Sequence, residues 1–319
     1  MAVKSNAQVK WANTDTAFGI LPAGFHVYKT TDSLDGKPFI AYYAEARLKD
    51  KQLNFTTDTT FRRRLTPKQF YVKNNQPLLV VNCTFFNFDK NQNLNVVIKD
   101  GKLVSYNVHT VPGRGKDTLT YKHPLGSAIG ISKKREADVA WLYTDSSRKY
   151  PIAFQLPILE IEHSKKVKYK LNYKKAKKIK GKIFDMVYKM PIDKKWKMQT
   201  AVGGGPVLLQ NGEIKITNEE ELKFSGKTGL TDKHPRTCMG YTKDGRLIVM
   251  VIQGRSTDAA GATLVQEAQL LKDLGCVEAL NLDGGGSSCM LINGKETIKV
   301  SDKEGERPVP AVFIIKTKK

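Results

Sequence analysis

Ala279-Leu280-Asn281-Leu282-Asp283-Gly284-Gly285-Gly286-Ser287-Ser288-Cys289-Met290 is a short apolar run that ends in a carboxylate and then three consecutive glycines. Glycine has no Cβ and reaches positive φ freely, so a triplet directly after a strand predicts a turn that some other group approaches closely. Asp283 stands at the rim of that turn, with the hydroxyls of Ser287 and Ser288 just beyond it. A second triplet, Gly203-Gly204-Gly205-Pro206, precedes the apolar Val207-Leu208-Leu209 and an Asn211-Gly212 turn. Two such loops in one chain are a stronger signal of close approach than one.

Between the triplets, Asp244-Gly245 separates Cys238-Met239-Gly240-Tyr241 from the apolar 247–252 run, the pattern of a hairpin. His234-Pro235-Arg236-Thr237 leads into its first strand and Gly254-Arg255-Ser256-Thr257 follows its second. The strongest helix signal covers 263–274, where Leu264, Ala268, Leu270 and Leu271 share a face and Gly275 ends it. Glu267 lies beside that stripe, so it either sits solvated on the edge or points into a site formed with the following strand end. Upstream, Pro77-Leu78-Leu79-Val80-Val81 reads as a buried strand delivering Asn82, and 95–105 reads as a hairpin turning at Asp100-Gly101. Residues 39–46 and 137–143 also read as strands, and Thr66-Pro67-Lys68-Gln69-Phe70 opens a short helix.

The expected class is therefore α+β: a mixed β-sheet core with a few flanking helices and a β-rich N-terminal portion. The expected division is a 1–75 portion packed on a 76–319 main domain, with a lysine-rich extension near 164–196.

Read in order, these segments resemble the phosphodiester glycosidases. The family pattern runs through an early Asn-Gly-Gly-Phe-Phe, a Gly-Gly-Gly-Pro with leucines, a His-Pro-Arg-Thr, a Gly-Arg, a helix with an inward Glu, and Asn-Leu-Asp-Gly-Gly-Gly-Ser-Ser. The last five stand almost unchanged here. The first is altered to Asn82-Cys83-Thr84-Phe85-Phe86, which keeps the Asn and both Phe but replaces the glycines. The resemblance implies hydrolysis of a sugar-1-phosphodiester in a glycan or glycoconjugate, releasing free sugar and a phosphomonoester. Because family members are commonly exported, it also implies a periplasmic, cell-surface or secreted protein whose signal segment is absent from this sequence. Two other readings stay open: a non-catalytic glycan- or polyanion-binding protein that has kept the fold, and a phosphodiesterase that releases sugar phosphate.

That chemistry needs phosphate neutralisation, stabilisation of positive charge at the anomeric carbon, and a carboxylate or activated water. Asp283 and Glu267 are the candidate carboxylates, with Asp283 assigned to the chemical step and Glu267 to acid/base work or sugar binding, the roles being interchangeable. Arg236 and Arg255 are candidates for phosphate, since a guanidinium presents paired donors to its oxygens. His234, held extended by Pro235, is either a structural hydrogen-bonding group or aimed into the cleft. Asn82 and Thr237 are expected polar contacts, Ser287 a binding hydroxyl without a nucleophile elbow around it, and the amides near Gly204, Gly205, Gly284 and Gly285 candidate ligand donors.

Composition narrows the partners. The 53 Lys plus Arg against 31 Asp plus Glu give a net charge of +22, which raises a polyanion partner. Much of the excess falls in 165–182, where Val167, Tyr169, Leu171 and Tyr173 alternate with lysines as in a half-buried strand, and no nucleic-acid-binding motif accompanies it. The expected partner is a phosphorylated or acidic glycan and not nucleic acid. No run is apolar long enough to span a bilayer. Cys83, Cys238, Cys276 and Cys289 have no zinc spacing and are expected as free thiols, although Cys83 and Cys238 occupy motifs that should converge. No metal or other cofactor is expected; a divalent cation held by Asp283 with Asn82 or Asn281 is left open.

Overall fold

The computed structural model describes residues 9–112, 121–122, 125–157, 194–221, 223–224 and 230–318. The lysine-rich 165–182 stretch, with its expected strand alternation, lies outside them.

Three sheets form the α+β core. The largest has eight strands, and its centre is the predicted hairpin: Arg236–Thr242 pairs with Arg246–Ile252, with Gly245 at φ +84° in the turn. On one side Arg246–Ile252 pairs with Ala41–Arg47 and that with Phe25–Thr30; on the other, Arg236–Thr242 pairs with Cys276–Asn281 and that with Val207–Gln210. A six-stranded sheet is built around Met198–Gly203, Gly126–Ser132 and Ala137–Tyr143, and a five-stranded one around Met290–Ile292, Leu79–Asn82, Ala311–Thr317 and Leu53–Thr59. Every ladder in the three is antiparallel.

The unbroken apolar run of the central strand follows from burial on both faces. Leu247, Val249 and Val251 join one core with Val139, Trp141, Val81 and Phe313, while Ile248, Met250 and Ile252 join a second with Leu264, Ala268 and Leu271. Successive residues of a strand point to opposite faces, so a strand covered on both sides must be apolar at every position. Each fully buried aliphatic side chain of this run contributes about 1.5–3 kcal/mol of transfer free energy.

The second core is closed by the helix Leu264–Asp273, which packs on Val207–Gln210 and Cys276–Asn281. Thr263 caps it: its hydroxyl accepts from the Gln266 amide at 3.2 Å while Gln266 Oε1 accepts from the Thr263 amide at 3.0 Å. The short helix Pro67–Lys73 carries the same device at Thr66 and Gln69, and its Phe70 packs with Val80. No described helix is long and apolar enough to cross a membrane.

The N-terminal strands lie within these same sheets: Ala41–Arg47 borders the central hairpin, and Leu53–Thr59 borders Ala311–Thr317.

Candidate active site

The site grows from the end of Cys276–Asn281. Asn281 lies opposite Cys238, so the chain leaving it runs beside the start of Arg236–Thr242, and the Leu282 amide donates to the Thr237 carbonyl at 2.8 Å. The Asp283 amide then donates to the Cys83 carbonyl at 2.8 Å, and the Gly285 amide to the Pro235 carbonyl at 2.9 Å. Two separated motifs, 82–86 and 234–237, are thereby tied to one loop. The glycines are needed for protein packing: Gly285 has φ +61°, a Cβ on Gly284 would lie 2.8 Å from the Pro235 carbonyl oxygen, and one on Gly286 would collide with Arg307 and Asp302.

The second triplet is packed as tightly. The Gly204 amide donates to the Ser127 carbonyl and the Gly205 amide to the Asn281 carbonyl, at 3.0 and 2.7 Å. Asn281 returns a bond from Nδ2 to the Gly205 carbonyl at 2.8 Å. The amides of Gly204, Gly205 and Gly285 are thus engaged by backbone carbonyls and are not presented to a ligand; the close approach read from the glycines is of one loop on the other.

Asn82 and Thr237 lie one layer behind the surface, both fully buried. Asn82 Oδ1 accepts from the Thr237 hydroxyl at 2.9 Å and from the Cys289 amide at 3.1 Å, and its Nδ2 donates to the Asp283 carbonyl at 2.5 Å. Asn82 therefore braces the Asp283 loop, with no oxygen left over for a cation. Ser287 is buried, with its hydroxyl beside the Asp283 carboxyl. All four cysteines are buried free thiols. Among the described residues no group of three or more His, Cys, Asp or Glu is arranged to hold a metal.

The two carboxyls occupy different environments. Asp283 is half-buried at the loop rim; desolvation pushes its carboxyl up to about 7, opposed by Ser287, Arg307 and the Gly284 amide. Glu267 is completely buried under the hairpin, and desolvation again raises it to about 7, opposed by the Arg236 guanidinium and the Cys238 thiol. Neither Glu267 oxygen has a well-formed hydrogen bond. A different arginine thus stands against each carboxyl, Arg307 against Asp283 and Arg236 against Glu267.

Arg236 is 4% exposed, its Nε donating to the Ala262 carbonyl at 3.0 Å and its Nη2 to the Asp232 carbonyl at 3.4 Å. Arg255 is exposed, lies over Gly285, and its Nη2 approaches His234 Nδ1 at 3.4 Å. His234 is half-buried, its backbone exchanging two bonds with Ala262. The accessible rim is therefore Asp283, Gly285, Arg255 and His234, with Arg236 beneath it.

Sequence reasoning missed the cluster next to Arg236. Glu221 is buried and braces the Gly205-Pro206 turn: Oε1 accepts from Trp141 Nε1 (3.1 Å), the Val207 amide (2.9 Å) and the Thr217 hydroxyl (2.7 Å), and Oε2 from the Ser127 hydroxyl (2.6 Å). Beside it, half-buried Phe85 meets Phe224 edge-on at 6.0 Å, and the Arg236 guanidinium lies 5.9 Å from the Phe224 ring. Phe85 had a signal in its own motif; Glu221 and Phe224 had none.

Comparison with known proteins returns the same pattern. Residues 75–316 match the phosphodiester glycosidase family model. A prophage-derived uncharacterized protein of Bacillus subtilis (strain 168), YomE, is 40% identical over 89 residues, covering 28% of this chain and 14% of that protein. The mouse N-acetylglucosamine-1-phosphodiester alpha-N-acetylglucosaminidase is 33% identical over 94 residues, covering 27% of this chain and 18% of that enzyme. The matched stretches thus span under a fifth of either relative. The catalytic domain of the zebrafish enzyme, auto-inhibited by its pro-peptide, shares the fold with a TM-score of 0.60 and 20% identity, over 98% of this chain and 89% of that one.

Proposed function

This chain belongs to the phosphodiester glycosidase family, and on that premise we propose that it hydrolyses a sugar-1-phosphodiester linkage in an exported glycan or glycoconjugate. Water adds across the bond between the anomeric carbon and the phosphate oxygen, giving free sugar and a phosphomonoester. The observation that carries this reading is the placement of Asp283, a carboxyl that titrates near neutrality, on a rim shared with Arg255 and backed by Arg236.

In this reading the ionised Asp283 carboxylate stabilises or attacks the anomeric carbon as positive charge develops there. Arg255, with Arg236 behind it, stabilises the departing phosphate, which needs little protonation to leave. Glu267 is a positioning residue: sealed from solvent, it acts on the site through its electrostatic attraction to the Arg236 guanidinium.

The test is to incubate wild-type protein and Asp283→Asn with a panel of sugar-1-phosphodiesters, including N-acetylglucosamine-phosphate-methylmannoside, and identify products by mass spectrometry. Free sugar from wild type alone supports the proposal. Sugar phosphate as the product would make the protein a phosphodiesterase. Ligand binding without turnover, unaffected by Asp283→Asn, would make it a binding protein.

A further inference from the structure

Lys223 occupies an unusual position for a cation. Its Cε fills the space a Cβ on Gly205 would take, and its ammonium sits 5.2 Å from the Phe85 ring centroid. Phe85 in turn meets Phe224, and Phe224 lies under Arg236. The side chain is half-buried, yet it has no ion pair and no hydrogen bond to a described residue. Desolvation accordingly lowers its affinity for a proton, with Glu221 the one charge opposing that.

Glu221 does not serve as the missing partner. It lies beyond ion-pair distance, and both its oxygens already accept bonds from Ser127, Trp141, Thr217 and the Val207 amide. The ammonium is not sealed off with the buried unpartnered atoms, so its unused donors are open to an external acceptor. The aromatic face beneath it adds cation–π attraction but supplies no hydrogen-bond acceptor.

We propose that Lys223 is an anion anchor: it binds a phosphate oxygen of the ligand beside the Phe85–Phe224 pair, which offers an apolar surface to the adjoining sugar. The assignment of this phosphate to the scissile phosphodiester rests on the proposed glycosidase reading; the anchor itself does not. Lys223 lies over Phe85 and Arg236 over Phe224, so the edge-on aromatic pair carries a cation on each ring, which suits a phosphate group better than a single carboxylate. Nothing in the glycine motifs points to this residue, which is one of 53 Lys and Arg.

The probe is inorganic phosphate, titrated calorimetrically into wild type, Lys223→Met and Lys223→Arg at fixed ionic strength. Loss of one charge-assisted hydrogen bond predicts a dissociation constant about 10-fold weaker or more in Lys223→Met, with Lys223→Arg close to wild type. A second measurement needs no variant: acetic anhydride labelling of wild type, read peptide by peptide, should show Lys223 protected by phosphate and not by acetate. Equal phosphate affinity in wild type and Lys223→Met, no phosphate binding by wild type, or equal protection by acetate would each overturn the proposal. Turnover assays run in parallel separate the two claims. Phosphate binding that depends on Lys223 without turnover leaves the anchor standing and removes the glycosidase; turnover with unchanged KM and phosphate affinity in Lys223→Met does the reverse.

Discussion

Glu267→Gln should remove a pH dependence of stability that the buried carboxyl imposes on the whole fold. Glu267 is completely buried and titrates at about 7 instead of 4.5. Between those values the folded protein holds a proton that the unfolded chain has released, so stability falls as pH rises through that window and levels off above it. The gap of about 2.5 pH units, at about 1.4 kcal/mol each, amounts to roughly 3 kcal/mol. Glutamine has nearly the shape of the protonated acid and does not ionise, so the variant should come within about 1 kcal/mol of wild type near pH 5 and exceed it by up to about 3 kcal/mol at pH 8. For a chain of this size that corresponds to about 5 °C in Tm. Urea denaturation at pH 5, 6, 7 and 8 and constant ionic strength, followed by tryptophan fluorescence, measures the difference directly. A difference that stays flat with pH would refute the reasoning. So would wild type gaining on the variant as pH rises, because the Arg236 attraction would then outweigh burial.

Three further outcomes follow from the same geometry. If Asp283 acts as its carboxylate, kcat/KM on a cleaved sugar-1-phosphodiester should rise with pH through about 7, and a fall over that range would make Asp283 a proton donor instead. Gly285→Ala forces a Cβ to within 3.2 Å of the Arg255 guanidinium at a backbone φ of +61°; it should cost about 1–2 kcal/mol in urea denaturation and raise KM by displacing Arg255. Glu221→Gln replaces a carboxylate accepting four bonds with an amide that cannot accept all of them, and should cost about 2–4 kcal/mol in the same denaturation assay; a loss below about 0.5 kcal/mol would show that the network does not hold the Gly205-Pro206 turn.

The parts of this protein legible in sequence are those governed by local rules. The Asp244-Gly245 hairpin, the capped helix at Leu264–Asp273 and the strand delivering Asn82 each follow from turn chemistry and periodicity over a few residues. The close approach at each glycine triplet was legible because glycines record steric demand. What they pack against was not: the amides of Gly204, Gly205 and Gly285 face protein carbonyls, and sequence does not distinguish a ligand from a neighbouring loop. Asn82 and Thr237 were located but placed one layer too far forward, since a polar residue at a strand end can face the cleft or brace it. Lys223 and Glu221 were invisible for a different reason. Each owes its position to contacts far along the chain, Glu221 reaching Trp141 and Ser127 at separations of 80 and 94 residues.

The interleaving of the N-terminal strands with the family-matched region has a practical consequence for anyone dissecting this chain. A fragment cut at residue 75, where the family match begins, would strip Ala41–Arg47 from one flank of Arg246–Ile252 and Leu53–Thr59 from one flank of Ala311–Thr317. Two long apolar strands would then present open backbone edges, the template on which chains pair with one another. Such a fragment should aggregate, and adding residues 1–74 back as a separate polypeptide should rescue it by supplying the missing strands. The conserved-looking motifs and the piece of chain that can fold around them are not the same unit.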